Sequence, residues 1–283
     1  MPEGPEVKKL TDRLNKLLKN KELNNITINS GRYKKHNNLN NFNNFIKILP
    51  VKIKEVKCKG KFMYMIFDKE DYVLFITLGM TGWFRFSRTE KIHHYYEVPD
   101  KHDNITFYFK DFEMYFNDFR NFGTLMFMKP SELDKKLKTL GVDILDEKPD
   151  INLFLKKVEK KRNDVKIAKL LLDQKVIAGV GNYLRADGLF LAKINPHTII
   201  RKLSNKTLKE LFEILRILAW FQYNEKLGRK LKIINNSMNM INNYDNFIVY
   251  MQDTIKYKNK TYTVVREDLG GRTIHWIPEI QIK

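Results

Sequence analysis

The sequence predicts a multidomain α+β protein: an N-terminal helix entering an antiparallel β-sandwich, then a helical domain, then a C-terminal β-hairpin. Three observations predict it. An apolar stripe of helical period opens the chain. Between about residues 50 and 128 the pattern shortens to aromatic and β-branched runs broken by Gly, Asp and Pro. Beyond Pro130 the helical period returns.

Val7, Leu10, Leu14, Leu17 and Leu18 share one helical face, which predicts a helix over 5–19 with Pro5 suited to its first turn. The Asn-rich stretch 37–44 reads as a polar loop. Runs at 62–67, 72–78, 83–86, 105–109, 114–116 and 124–127 predict the strands of the sandwich. A short helix is expected over 131–140 and a linker over 147–151. Helices over 165–172 and 181–190 bracket a tight glycine-containing connection. Leu208, Leu211, Phe212, Leu215, Leu218 and Ala219 mark a longer helix, with Thr207 and Glu210 spaced as a capping box. A polar loop follows at 235–246. Residues 256–277 alternate around Asp268-Leu269-Gly270-Gly271, the signature of one hairpin. The expected domains are 1–130, a linker with a short helix at 131–150, 151–247, and 248–283.

Composition narrows the function. The chain has 283 residues, 43% hydrophobic and 12% aromatic, enough to bury a core. No run of about 18 apolar residues could span a bilayer, and the first residues lack the basic and apolar segments of a secretory signal. The single cysteine, Cys58, excludes an internal disulfide and any zinc site built from three or four thiolates. The six histidines show no ligand spacing, so no metal or cofactor is expected. Lys and Arg exceed Asp and Glu by 52 to 33, a formal charge of +19. That surplus lies scattered among aromatic residues rather than along one basic amphipathic helix, which favours nucleic acid over a membrane surface.

The N-terminus carries the most chemistry. Excision of the initiator Met before Pro2 leaves a secondary amine, whose pKa of about 7.7–8.0 makes a fraction neutral and nucleophilic at neutral pH. A helix N-terminus nearby would lower it further. Attack of such an amine on a sugar C1′ yields a cationic iminium, an electron sink for cleaving bonds further along the sugar. Glu3 beside it is placed to act as the acid. The same residues, Pro2 to Glu6, also serve as a plain helix entry with acidic first-turn side chains, and the residues alone leave both open.

Pro2-Glu3-Gly4-Pro5-Glu6-Val7 resembles the start of the Fpg/Nei family of DNA glycosylases and AP lyases, and four further motifs follow in that family's order. Lys59-Gly60-Lys61-Phe62 resembles a strand whose lysine, here Lys61, touches DNA phosphate and assists proton transfer. Leu78-Gly79-Met80-Thr81-Gly82 resembles the turn whose Met fills the gap left by an everted nucleotide. Asn117-Asp118-Phe119-Arg120-Asn121-Phe122-Gly123 resembles the loop carrying the other two void-filling residues, Arg120 and Phe122. It departs from the family at Phe119, where a Pro is usual, and at Asn121, where a second Arg is usual.

Leu171-Leu172-Asp173-Gln174 and the run from Ala178 to Arg185 resemble the helix–two-turn–helix motif, in a Nei-like form. Gly179 and Gly181 allow a tight turn whose helix-start N–H groups are expected to hold a phosphate, with Asn182 adding a hydrogen bond. Asp187 stands where the family has Glu. The run from Gly270 to Gln281 resembles the family's zinc-finger hairpin, with Ile277 and Ile280 in place of its cysteines, which implies a zinc-less finger held by apolar packing. Arg272 matches the arginine that grips the phosphate near the lesion and serves δ-elimination.

The resemblance implies a soluble, intracellular, monomeric protein of a DNA-containing compartment whose partner is damaged DNA, lying in a cleft with Pro2 facing it. The expected activity is bifunctional: excision of oxidised pyrimidines through a Pro2 Schiff base, then β,δ-elimination. The expected catalytic residues are Pro2, Glu3, Lys61 and Arg272, and the expected DNA-binding residues are Met80, Arg120, Phe122, Asn182 and Arg272. The alternatives are an enzyme for oxidised purines and a non-catalytic module that binds damaged DNA.

Overall fold

The computed structural model describes residues 2–36, 39–69, 71–87, 100–162, 164–224 and 247–282. The polar loop expected at 235–246 lies outside them. The chain divides into two compact units, one of Pro2 with residues 7–138 and one of residues 3–6 with 139–282.

Helix α1 (Gly4–Leu18) forms on the predicted stripe; from Val7 onward it belongs to the first unit, where Val7, Leu10, Leu14 and Leu18 are all buried. Strand β1 (Glu22–Ile28) and the short helices α2 (Gly31–His36) and α3 (Phe42–Phe45) follow. Then come β2 (Val51–Lys59), β3 (Phe62–Phe67), β4 (Val73–Thr77), β5 (Trp83–Phe86), β6 (Asp103–Phe109), β7 (Glu113–Asn117) and β8 (Thr124–Met128), and helix α4 (Pro130–Thr139) closes the unit.

The eight strands pair antiparallel in the order β5-β7-β6-β1-β2-β3-β4-β8. Strand β2 is the corner of the sandwich. Its start pairs with β1 at Val51 and Lys52, and from Ile53 onward it pairs with β3. Register breaks at Leu23/Asn25 in β1 and Ile53/Glu55 in β2 mark bulges, which bend and twist strands where a sheet must turn over on itself. One apolar cluster fills the interior, drawn from α1 and from strands on both sides of that corner, with Phe45, Phe67, Phe84, Phe107, Phe116 and Phe127 among its largest members.

The second unit holds the short parallel pair β9 (Val142–Asp143) and β10 (Ile177–Ala178), with α5 (Ile151–Glu159), α6 (Ile167–Leu170), α7 (Asn182–Leu191) and α8 (Asn205–Tyr223). The helix expected over 165–172 is a single turn. Helix α8 is capped at Ser204, whose side chain accepts from Thr207 N, so the cap stands three residues before the Thr207 of the expected capping box.

The C-terminal stretch is two hairpins where the alternation predicted one: β11 (Thr254–Tyr257) with β12 (Lys260–Thr263), and β13 (Val265–Asp268) with β14 (Thr273–Trp276). The extra turn is made by Lys258 and Asn259, both at positive φ (47° and 62°). An unbroken polar alternation hides such a turn when no glycine marks it.

Candidate functional site

In the second unit the N-terminal residues are locked onto the start of α7. The Glu3 side chain is 1% exposed. It accepts from the backbone N–H of Gly181 at 2.7 Å, Tyr183 at 2.9 Å and Leu184 at 3.4 Å. These are amides that a helix start leaves without an intrahelical partner, and a carboxylate there also meets the positive end of the helix dipole. Gly4 N donates to Gly179 O at 2.8 Å. A Cβ on Gly4 would stand 3.0 Å from the Gly179 Cα, so the close approach favours glycine there, and the φ of +104° favours it at Gly179. Glu6 completes the lock, accepting from Tyr183 O–H at 3.0 Å and from Glu3 N at 2.8 Å.

This arrangement corrects one expectation. The helix-start N–H groups of Gly181, Tyr183 and Leu184 hold the protein's own carboxylate, so they are not the phosphate cradle that the glycine pattern suggested. Asn182 is half-buried beside them, and its Oδ1 accepts from Arg185 Nη2 at 3.3 Å.

Arg185 is fully buried and also donates to Thr273 O at 2.9 Å, tying α7 to β14. Burial pushes its pKa down to about 10; the Glu3 carboxylate opposes that shift and the Arg272 charge adds to it. Arg272 is exposed at the tip of the β13–β14 hairpin and makes no ion pair among the described residues. Its turn is set by Gly270 and Gly271, both at positive φ (68° and 79°).

Asp187, buried one helical turn beyond Tyr183, accepts from three consecutive amides: Ile248 at 3.0 Å, Val249 at 2.9 Å and Tyr250 at 3.1 Å. The shorter carboxylate therefore still organises the backbone around it. Tyr250 packs edge-on to His275, with ring centroids 5.0 Å apart. Burial lowers the His275 pKa, and the Arg266 and Arg185 charges lower it further.

Ile277 and Ile280 pack with Ala186, Phe190, Val249 and Val264 in one apolar cluster. The zinc that the resemblance associates with this hairpin does not fit these residues. Hydrocarbon side chains have no donor atom, and the hairpin is held by burial and by Gln281, which bonds Ile277 N at 2.8 Å and Ile194 O at 3.0 Å.

In the first unit, strand register collects the other predicted residues at one end of the sandwich. Lys59 pairs with Phe62, Phe62 with Thr77, and Thr77 with Thr124. The turn carrying Lys61, the turn carrying Met80 and the loop carrying Arg120 and Phe122 therefore leave the sheet side by side. Lys61 is half-buried in the two-residue turn between β2 and β3, with Gly60 at φ +57°. It is not on a strand, as the motif implied, because glycine at positive φ closes the hairpin there.

The two wedge segments are clamped together. Asp118, itself buried, accepts from Thr81 O–H and from Gly123 N. A Cβ on Gly79 would lie 2.6 Å from the Phe122 carbonyl carbon, so only glycine permits this contact. Asn121 sits at φ +55°, a conformation Asn tolerates better than Arg, and its Oδ1 accepts from Arg32 N at 3.2 Å. The loop is thus fixed without the family's Pro and second Arg. Met80 is half-buried, Phe122 is 52% exposed, and the Arg120 guanidinium lies 4.9 Å from the Phe122 ring centre.

The structure thus groups Met80, Arg120 and Phe122 with Lys61 in the first unit, and Glu3 with Asn182 and Arg272 in the second. Sequence reasoning missed the supporting residues Glu6, Thr81, Asp118 and Tyr183. Each lies inside a quoted motif, so the motifs held the signal, but nothing in their spacing separates a clamp from its neighbours.

Comparisons with known proteins agree with this layout. A family model described as the formamidopyrimidine-DNA glycosylase N-terminal domain matches residues 1–125, and one described as the H2TH domain of the same glycosylase matches 140–219. A formamidopyrimidine-DNA glycosylase of Listeria monocytogenes serotype 4b is 30% identical, covering 99% of this chain and 100% of its own. One from Oceanobacillus iheyensis is 28% identical over 99% of this chain and 98% of its own. Among solved structures, the Lactococcus lactis glycosylase bound non-covalently to DNA with an AP site superposes with a TM-score of 0.79 at 25% identity, covering 99% of this chain and 100% of that one.

Proposed function

The chain belongs to the formamidopyrimidine-DNA glycosylase family, and from that premise we propose that it is a bifunctional DNA glycosylase and AP lyase of base-excision repair. The observation that carries the reading is the Glu3 clamp. Pro2 is one peptide bond from Glu3, a Cα–Cα step of about 3.8 Å. Three backbone bonds to the Glu3 carboxylate therefore restrict where the Pro2 nitrogen can be. A nucleophile held in place converts a bimolecular attack into an effectively intramolecular one.

With Met1 removed, the Pro2 nitrogen lone pair forms a bond to C1′. The glycosidic bond breaks, its electron pair leaves with the base, and the base takes up a proton. The amine proton passes to the Glu3 carboxylate and from it to O4′ as the C1′–O4′ bond opens, which gives an iminium. Removal of a C2′ proton sends electrons into that iminium and breaks the C3′–O bond. A second proton loss, at C4′, breaks the C5′–O bond, and water releases Pro2 from the sugar fragment.

Lys61 and Arg272 hold the flanking phosphates, and Arg272 assists the second cleavage. Asn182 has its Oδ1 engaged by Arg185, and its Nδ2 is the donor proposed for the DNA backbone. Met80, Arg120 and Phe122 occupy the space of the everted nucleotide, which must leave the stack to reach Pro2.

The lesion class proposed is the oxidised pyrimidine. The Nei-like run Asn182-Tyr183-Leu184-Arg185 and the packed Ile277 and Ile280 support it. A second reading, ring-opened and oxidised purines, is favoured by the names of the relatives. Incision of thymine glycol and of 8-oxoguanine opposite cytosine, measured side by side, separates the two. Faster incision of thymine glycol is expected, faster incision of 8-oxoguanine selects the second reading, and no incision of either lesion or of an AP site overturns the function.

A further inference from the structure

Helix α2 and the loop before it form a concavity of about 580 Å³ at the wedge end of the sandwich. Arg32, Lys34, Lys35 and His36 line it on the helix, with Asn29 and Asn121 at its edges. No carboxylate is among its described lining residues, and Arg32, Lys34 and Lys35 enter no ion pair among the described residues. Among the described residues these three cations on a six-residue helix have no carboxylate partner, and a bound anion would relieve their mutual repulsion.

The helix is bound rigidly to the wedge loop. Arg32 N donates to Asn121 Oδ1 at 3.2 Å. Tyr33, 2% exposed, donates through its hydroxyl to Gly123 O at 3.2 Å and accepts from Leu125 N at 2.7 Å. Gly31 fits against the Asn104 and Asn121 side chains with no room for a Cβ. The cations are therefore held at a fixed offset from Arg120 and Phe122. Arg120 and Phe122 are the residues proposed to enter the stack, and cations held at a fixed offset beside them fit the backbone phosphates of the strand opposite the lesion.

We propose that the α2 pocket binds backbone phosphates of the intact DNA strand opposite the lesion and so sets the register in which Arg120 and Phe122 enter the stack. This rests on the proposed function. It makes α2 a positioning element for nucleotide eversion, with no part in the chemistry at C1′.

The test is binding of duplex carrying a tetrahydrofuran abasic analogue, and of the lesion strand alone, across a salt series for wild type and Lys34→Ala/Lys35→Ala. Both lysines are exposed, so the variant should melt with wild type. Each neutralised phosphate contributes about −0.9 to the log–log salt slope on duplex, so two lost contacts should flatten that slope by about 1.8. The slope on the single strand should not change. An unchanged duplex slope overturns the proposal, as does an equal loss on both substrates, which would place the pocket on the lesion strand. Displacement of duplex by inorganic phosphate at matched ionic strength would make it a free-anion site and overturn it too. A wild-type protein that incises no damaged DNA is the failure of the function itself, distinct from an active enzyme whose variant keeps its slope.

Discussion

Glu3→Gln removes one charge and one acceptor from a buried site and keeps nearly the same shape. In the wild type Oε2 takes the Gly181 and Leu184 N–H groups and Oε1 takes that of Tyr183. A glutamine can keep its carbonyl toward Gly181, but its NH₂ then faces the Tyr183 N–H, donor against donor. A buried donor without a partner costs about 1–3 kcal/mol. Loss of a carboxylate at a partly buried helix N-terminus costs up to about 2 kcal/mol more. The buried Arg185 charge also loses the Glu3 charge that supports it.

A destabilisation of about 3 kcal/mol is expected. At about 2–4 °C per kcal/mol for a protein of this size, the melting temperature should fall by about 6–12 °C. Glu6→Gln is the control: with its carbonyl at the Oε2 position it still accepts from both Glu3 N–H and the Tyr183 hydroxyl, and its shift should stay below about 1 kcal/mol. Differential scanning calorimetry of the three proteins decides it. A Glu3→Gln protein that melts within 2 °C of wild type, on the order of 0.5–1 kcal/mol at the same conversion, would refute the clamp.

Three further outcomes follow from the same geometry. Phe122→Ala removes an exposed ring from a rigid loop, so stability should hold; stacking is worth about 1–3 kcal/mol per base, so incision of duplex lesions should fall about 5- to 150-fold in single-turnover kinetics while an AP site in single-stranded DNA is cleaved nearly as before. Ile277→Ala should cost about 2–5 kcal/mol of unfolding free energy, whereas EDTA should leave the wild-type melting temperature unchanged; a chelator-sensitive protein would contradict the apolar hairpin. His275 has a folded pKa below its unfolded value of about 6.5, so the unfolded state binds more protons and stability falls as pH drops through that value. His275→Phe should flatten this acid limb relative to wild type, and parallel stability–pH curves would count against the assignment.

How far the fold was legible follows from where burial is one-sided. Strands β3 to β8 announce themselves because most of their residues are apolar or β-branched, and α1 and α8 because their stripes are unbroken. Strand β1 was invisible: in Glu22–Ile28 only Leu23 and Ile26 are buried, and the bulge at Asn24–Asn25 breaks the alternation between them. Strand β2 buries Val51, Ile53 and Val56, but the bulge at Ile53/Glu55 breaks the alternation and its lysines disguise it as surface.

The site was legible residue by residue through motifs and illegible as an arrangement. Pro2, Glu3, Met80, Arg120 and Phe122 could be named from the chain. That Glu3 would take the helix-start amides could not, because the glycine-rich turn of Gly179 and Gly181 is equally suited to a phosphate. Nor could the clamp of Asp118 on Thr81, a contact between segments 37 residues apart.

In the proposed mechanism the Pro2 nitrogen is the nucleophile. Borohydride reduction during turnover on lesion-containing duplex, followed by mass mapping of the cross-linked peptide, measures it directly. A covalent DNA adduct on an N-terminal peptide that begins at Pro2 is the predicted result. An adduct on a lysine such as Lys61, or incision of the lesion with no adduct at all, would contradict it.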